Sequence, residues 1–212
     1  MDELKKVFSS IYEQNLWRGP ESRSGYGSGH ASTVNIRNEL PIIFKKFNIT
    51  SMLDIPCGDF NWMREVNLNG VKYIGADIVT AMIQDNKEKI ANGTWLPEFV
   101  ELDLTTSDLP KVDLIFVRDC LGHLNNENTF KALNNIKRSG SKYLLTTSFT
   151  RQGPNVEVLN GHFRCINLLI EPFRFNPIYL VNENCIEGYP HFNDKCMILF
   201  EIDKLPQLNL SK

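Results

Sequence analysis

Three carboxylates stand at matching points of three successive apolar runs. Ser51-Met-Leu-Asp54 ends in Asp54 and turns at once through Pro56 and Gly58, with Asp59 inside the turn. Tyr73-Ile-Gly-Ala-Asp77 and Phe99-Val-Glu-Leu-Asp103 repeat the pattern. Buried parallel strands end this way when their carboxyl tips face a ligand, because open α/β sheets bind beyond those tips. Three such tips predict a nucleoside pocket. A fourth run, Lys111-Val-Asp-Leu-Ile-Phe-Val117, is followed by Arg118, Asp119, Cys120 and His123, which puts a charge pair and an imidazole at the same edge.

The surrounding elements must hold those tips in register. Residues 2–17 predict a helix with Leu4, Val7, Phe8, Ile11 and Tyr12 on one face. Arg18-Gly-Pro and Arg23-Ser-Gly-Tyr-Gly-Ser-Gly-His30 then break the chain. A Gly/Ser stretch reads as a linker; with Arg23, Tyr26 and His30 in it, directly before the core, it reads equally as a lid. Ser32 is placed to cap a second helix carrying Ile36, Leu40, Ile43, Phe44 and Phe47, with a kink expected at Pro41. Phe60-Asn-Trp-Met-Arg64 predicts a short helix whose free amides point into the first turn. Strands are predicted over 71–78, 98–104, 111–117 and 142–149. A helix capped by Thr80 and closed by Gly93 separates the first two, and one over 126–138 stopped by Gly140 separates the last two. Strand–helix alternation of this kind demands right-handed crossovers and a parallel sheet. Residues 150–177 show no period. Ile178-Tyr-Leu-Val181 and Met197-Ile-Leu-Phe-Glu-Ile202 predict an antiparallel pair at the sheet edge.

Composition narrows the classes. With 212 residues, 42% apolar and 23% charged, the chain reads as one soluble domain. A net charge of −2 gives no bulk attraction to nucleic acid or to an anionic membrane. Five scattered cysteines (57, 120, 165, 185, 196) form no Cys-x-x-Cys pair, which argues against disulfides and zinc and for a reducing compartment. No apolar run is long enough to span a bilayer and the N-terminus lacks a signal-peptide core, so a cytoplasmic location is expected. No set of His, Cys and Asp has metal-site spacing. Dinucleotide binding is disfavoured because the loop after the first strand has one glycine where Gly-x-Gly-x-x-Gly is needed, and a Walker loop is absent.

On these residues the sequence resembles the class I S-adenosylmethionine (SAM) methyltransferases. Asp54-Ile-Pro-Cys-Gly58-Asp-Phe60 is similar to that family's Asp-x-Gly-x-Gly-x-Gly signature with only its middle glycine kept. The series Asp54, Asp77, Asp103, then Val-Asp-Leu-Ile-Phe-Val-Arg-Asp-Cys-Leu-Gly-His-Leu, carries the resemblance over 51–149. Trp17, the Gly/Ser stretch and Leu-Asp-Ile-Pro-Cys-Gly-Asp-Phe-Asn-Trp-Met together resemble small bacterial methyltransferases encoded among surface-polysaccharide (capsule) genes. The resemblance implies an α/β, Rossmann-like seven-stranded sheet, mostly parallel with a reversed last strand and helices on both faces. It implies one domain over 1–212, with N-terminal helices and lid at 1–48 and the core at 49–212. It also implies methyl transfer from SAM, with S-adenosylhomocysteine as product, to a small-molecule acceptor such as a sugar hydroxyl. The protein would work as monomer or homodimer. A small amine, a protein side chain, or a silent SAM-binding module are the alternatives.

Roles follow from that chemistry. Asp77, 23 residues after Asp54, would accept from the ribose hydroxyls, with Ile78 beside it. Asp103 would accept from the adenine amino group, and Leu104 would offer an amide to the ring. Gly58 admits close backbone approach. Asp54, Asp59, Asn61, Arg118 and Asp119 would order the turn and meet the amino acid end. Trp17, Trp62, Tyr26 and Phe163 would wall the sulfonium, unless they are core. Tyr26 and Arg164, with Arg37, are candidates for the acceptor. His123 or His162 would be the general base, the plain alternative being a structural hydrogen bond; His30 and His191 have weaker claims. Cys57 and Cys120 read as small packing groups.

Overall fold

The computed structural model describes residues 3–68, 70–91, 97–188 and 190–208. Seven strands form one sheet: β1 (Ser51–Asp54), β2 (Lys72–Asp77), β3 (Glu98–Glu101), β4 (Leu114–Val117), β5 (Tyr143–Phe149), β6 (Tyr179–Asn182) and β7 (Lys195–Glu201). Their order is β3-β2-β1-β4-β5-β7-β6, parallel throughout except that β7 runs antiparallel to β5 and β6. β1 pairs with β2 on one side and β4 on the other, so the chain switches direction of winding beside Asp54. A ligand crevice forms at such a switch point.

Side-chain alternation divides the core. In β4, Leu114 and Phe116 face one layer while Ile115 and Val117 face the other, all with no exposed surface. Helix α2 (Val34–Lys46) covers the first layer through Ile36, Leu40, Ile43 and Phe44. Helix α4 (Asn126–Arg138) covers the second through Phe130, Leu133 and Ile136. Helices α1 (Glu3–Glu13) and α3 (Thr80–Ile90) complete the framework.

Several boundaries differ from the sequence reading. Helix α1 ends at Glu13, and Asn15 and Arg18 take positive φ, which stops a helix before Trp17. Ser32 does not cap α2: Thr33 holds that position, and its hydroxyl donates back to the Gly29 and His30 carbonyls. Pro41 is accommodated inside the helix. Thr80 is the first residue of α3, its hydroxyl turned to Glu101. Gly93 lies outside the described residues. Phe60-Asn-Trp-Met-Arg64 is no α-helix; Phe60 has φ +57°, and only one 3-10 turn, Met63–Glu65, follows. Strand β3 stops at Glu101, which leaves Asp103 two residues beyond the tip. No helix among the described residues is long and apolar enough to cross a membrane.

Candidate functional site

A cleft of about 990 Å³, counted out to its open mouth, lies over the carboxyl edge of β1, β2 and β4. Asp54, Gly58, Asp77, Ile78, Asp103 and Leu104 line one end, and Trp17, Trp62, Arg118, Asp119 and His123 line the other. Leu4, Phe8, Ile11 and Tyr12 of α1 also line the cleft, Phe8 packing edge-on against Trp17, a role the helical stripe did not reveal. That helix is fastened by an ion pair from Lys5 to Glu101 and by the Tyr12 hydroxyl donating to Asp85.

The Asp77 carboxylate ends β2 and is tied at both oxygens. It accepts from the Val79 amide at 3.0 Å and from the Gly58 amide at 3.2 Å. Gly58 needs its lack of a side chain: φ is +59°, and a Cβ would meet the Ser24 hydroxyl oxygen at 2.4 Å. Burial pushes the Asp77 carboxyl up to about 6, with the backbone amides opposing it. Burial likewise pushes Asp54 up to about 8, although it accepts from the Tyr73 hydroxyl at 2.7 Å. These two groups cost free energy to ionise until a ligand offers donors or positive charge. Asp103 is placed in the loop after β3, where Oδ1 accepts from the Thr105 amide and hydroxyl while buried Oδ2 has no protein partner.

The other end has its own cations. Asp119 takes φ +51°, and its carboxylate meets the Lys195 ammonium at 2.6 Å and the Arg118 guanidinium at 3.2 Å. Arg118 also donates to Glu183 at 2.7 Å, and Lys195 lies 3.3 Å from that carboxylate. Lys195 and Arg118, its two cationic neighbours, hold Asp119 well below the usual carboxylate range against the effect of burial. Sequence reasoning missed Glu183 and Lys195, which come from the ends of β6 and β7. Gly27 closes over the cluster: a Cβ there would sit 3.1 Å from both Asp119 Oδ2 and Glu187 Oε2.

His123 follows β4 in a 3-10 turn, packed on Trp17 (ring centroids 4.9 Å apart) and on Phe163 (5.4 Å). Its Nδ1 lies 2.8 Å from the His162 carbonyl, so Nδ1–H donates there and Nε2 is the acceptor. Burial lowers the affinity of His123 for a proton, with Asp119 opposing.

Several residues proposed from the sequence, Phe163 among them, lie outside the cleft lining. Asp59 fastens the Gly/Ser stretch, accepting from the Ser22 hydroxyl and the Arg23 amide, both at 2.9 Å. Asn61 donates to the Ser28 carbonyl of the same stretch at 3.1 Å. Tyr26 is 55% exposed. His162 is exposed and meets His123 through its backbone, not its ring. Arg164 is buried; its guanidinium donates to Asn126, Val156 and Thr129, pinning the segment after β5 to α4. Arg37 is paired with Glu65.

Residues 52–141 match a family model described as a methyltransferase domain. No curated protein sequence matches the chain significantly. Among solved structures, the 1,6-didemethyltoxoflavin-N1-methyltransferase of Burkholderia thailandensis, with bound 1,6-didemethyltoxoflavin and S-adenosylhomocysteine, is 15% identical. It superposes with a TM-score of 0.63, over 93% of this chain and 86% of that one. The N-methyltransferase NodS of Bradyrhizobium japonicum, with S-adenosylhomocysteine, is 15% identical with a TM-score of 0.62, over 94% and 98% of the two chains. Magnesium protoporphyrin IX methyltransferase of Synechocystis, with bound SAM, is 13% identical with a TM-score of 0.61, over 95% and 98%. These likenesses establish the fold, and the family model marks its centre as a methyltransferase domain.

Proposed function

We propose that this chain, a SAM-dependent methyltransferase by its central domain, methylates a hydroxyl of a small acceptor, a sugar or surface-polysaccharide precursor, and releases S-adenosylhomocysteine. The observation that carries the reading is the convergence of Asp54, Asp77 and Asp103 on one cleft over the switch point. The donor set fits the cofactor. Asp77 would accept from a ribose diol, and the unpartnered Oδ2 of Asp103 suits an adenine amino group. Asp54 suits the ammonium of the amino acid end, where positive charge offsets the cost of ionising it. When bound, SAM supplies an electrophilic methyl group on a sulfonium.

The protein's part is to place and deprotonate the acceptor. His123 presents Nε2 to an acceptor hydroxyl and takes its proton; burial keeps the ring neutral and therefore basic in form. Trp17 and Trp62 form apolar walls that exclude water, and Trp62 lies 5.4 Å from the Arg118 guanidinium. Alignment of nucleophile and methyl is where most of the rate gain arises, several of the roughly 7–11 kcal/mol that good positioning supplies. An amine acceptor is the runner-up, which a neutral His123 suits by taking the proton that the methylated amine sheds. In either case the protein acts in the cytoplasm on a small molecule and not on nucleic acid or membrane, in keeping with its net charge of −2.

Calorimetry with SAM is the first test. Asp77→Ala is expected to weaken binding by about 1–3 kcal/mol, the cost of stripping donors of a charged acceptor. Equal affinity in the variant removes the ribose assignment. Turnover to S-adenosylhomocysteine with nucleotide sugars, then with amines, decides between the acceptor classes.

A further inference from the structure

Rings in contact lead out of the cleft. Trp17 packs on His123, His123 on Phe163, and Phe163 on Phe192 with centroids 5.4 Å apart. Phe163 is 45% exposed although it touches a ring that lines the cleft. Two further exposed apolar residues belong to segments that meet this ring chain. Leu16 precedes Trp17, and Leu159 begins the turn whose Gly161 amide donates to the His123 carbonyl. Leu159 is the most exposed large apolar side chain described, at 71%. An exposed apolar ring continuous with the wall of a cleft is where a binding surface is expected.

We infer that the acceptor carries an apolar chain, which leaves the cleft past His123 and lies along Phe163, Phe192, Leu159 and Leu16. The inference rests on the methyltransferase reading and names the class of its acceptor: an amphipathic molecule with its methylated group at His123 and its chain outside. Continuity decides the occupant. The inner end of the strip is the wall of the reaction cleft, so a group covalently attached to the acceptor is delivered there at every turnover. A membrane surface fits less well. The chain carries a net charge of −2, and Arg151, the cation stacked over Phe149 and Phe192 at the outer end, is paired with Asp194.

Calorimetry of the S-adenosylhomocysteine-saturated protein with n-butyl, n-hexyl and n-octyl β-glucoside, each below its micellar concentration, tests the assignment. Affinity is expected to rise at least about threefold for each added pair of methylenes, short of the gain for full burial. Leu159→Ser is expected to flatten that rise while S-adenosylhomocysteine binding stays at the parent value, and Phe163→Ser is expected to flatten it too. Leu159 is so exposed that its substitution leaves folding intact even if that of Phe163 does not. Affinity independent of chain length, or a rise that survives Leu159→Ser, overturns the proposal. So does sedimentation with phosphatidylcholine vesicles that is lost in Leu159→Ser, which gives the strip to a membrane. A parent protein that does not bind S-adenosylhomocysteine sinks the methyltransferase reading itself, and that titration is run separately.

Discussion

Asp77 and Asp119 sit at neighbouring points of one sheet edge and live in opposite surroundings. Around Asp77 and Asp54 the protein supplies backbone amides, one tyrosine hydroxyl and the more distant charge of Arg118, and burial pushes both carboxyls up, to about 6 and about 8. Around Asp119 it supplies Lys195 and Arg118, and the carboxyl is held down. Among the described residues, neither Asp77 nor Asp54 has a cation in direct contact of the kind that Lys195 and Arg118 give Asp119. The Asp119 end is complete in itself and serves as rigid furniture beside His123. Burial alone does not set the state of a carboxylate; what the protein places next to it does.

Removing Lys195 attacks the self-contained end most directly. Lys195→Met leaves Asp119 and Glu183 with one cation between them in a buried site, and is expected to cost about 3–5 kcal/mol of stability in denaturant unfolding. A loss near zero would mean that water, not lysine, balances the cluster. His123→Ala comes next: turnover is expected to fall at least about 10²-fold while S-adenosylhomocysteine affinity holds. If turnover survives, the two ends share no imidazole base and the acceptor is an amine that needs none. The smallest effect separates the ends by pH. Asp77 must ionise to accept from a ribose diol and Asp54 to meet the ammonium, so affinity for S-adenosylhomocysteine should rise as pH passes upward through about 6 and go on rising to about 8. At pH 5 it should be at least about tenfold below its value at pH 8, with protons released on binding. The unliganded chain shows the converse. A carboxyl raised by folding contributes stability that is complete below its ordinary range and is lost as pH rises through its folded value. The melting temperature should therefore decline toward pH 8, and bound ligand should flatten that decline. A binding curve flat from pH 5 to 7 would put Asp77 on the same footing as Asp119.

The end around Asp54 and Asp77 was legible in the sequence because its parts recur. Apolar runs of strand length closed by aspartate gave Asp54 and Asp77 their places, and β4, buried on both faces, declared itself by unbroken hydrophobicity. Asp103 was assigned to a strand tip and lies past it, since the loop after β3 is held by Thr105 and Ser107, not by ladder bonds. The mouth was less legible. Arg164 and His162 sit in an aperiodic segment, where long-range partners fix the direction of a side chain: Arg164 is drawn to α4 by Asn126 and Thr129. Glu183 and Lys195 carried a usable signal, each a charge abutting an apolar strand, the same cue that marks Asp54. The Gly/Ser stretch is held against the core by hydrogen bonds to Asp59 and Asn61, partners its composition did not reveal.

The part the first helix takes in the cleft has an expected kinetic consequence. With Leu4, Phe8, Ile11 and Tyr12 in the lining, release of spent cofactor is expected to require movement of that helix. Two contacts hold it, Lys5 to Glu101 and Tyr12 to Asp85. Loosening either should shorten residence of the demethylated product without touching the chemistry.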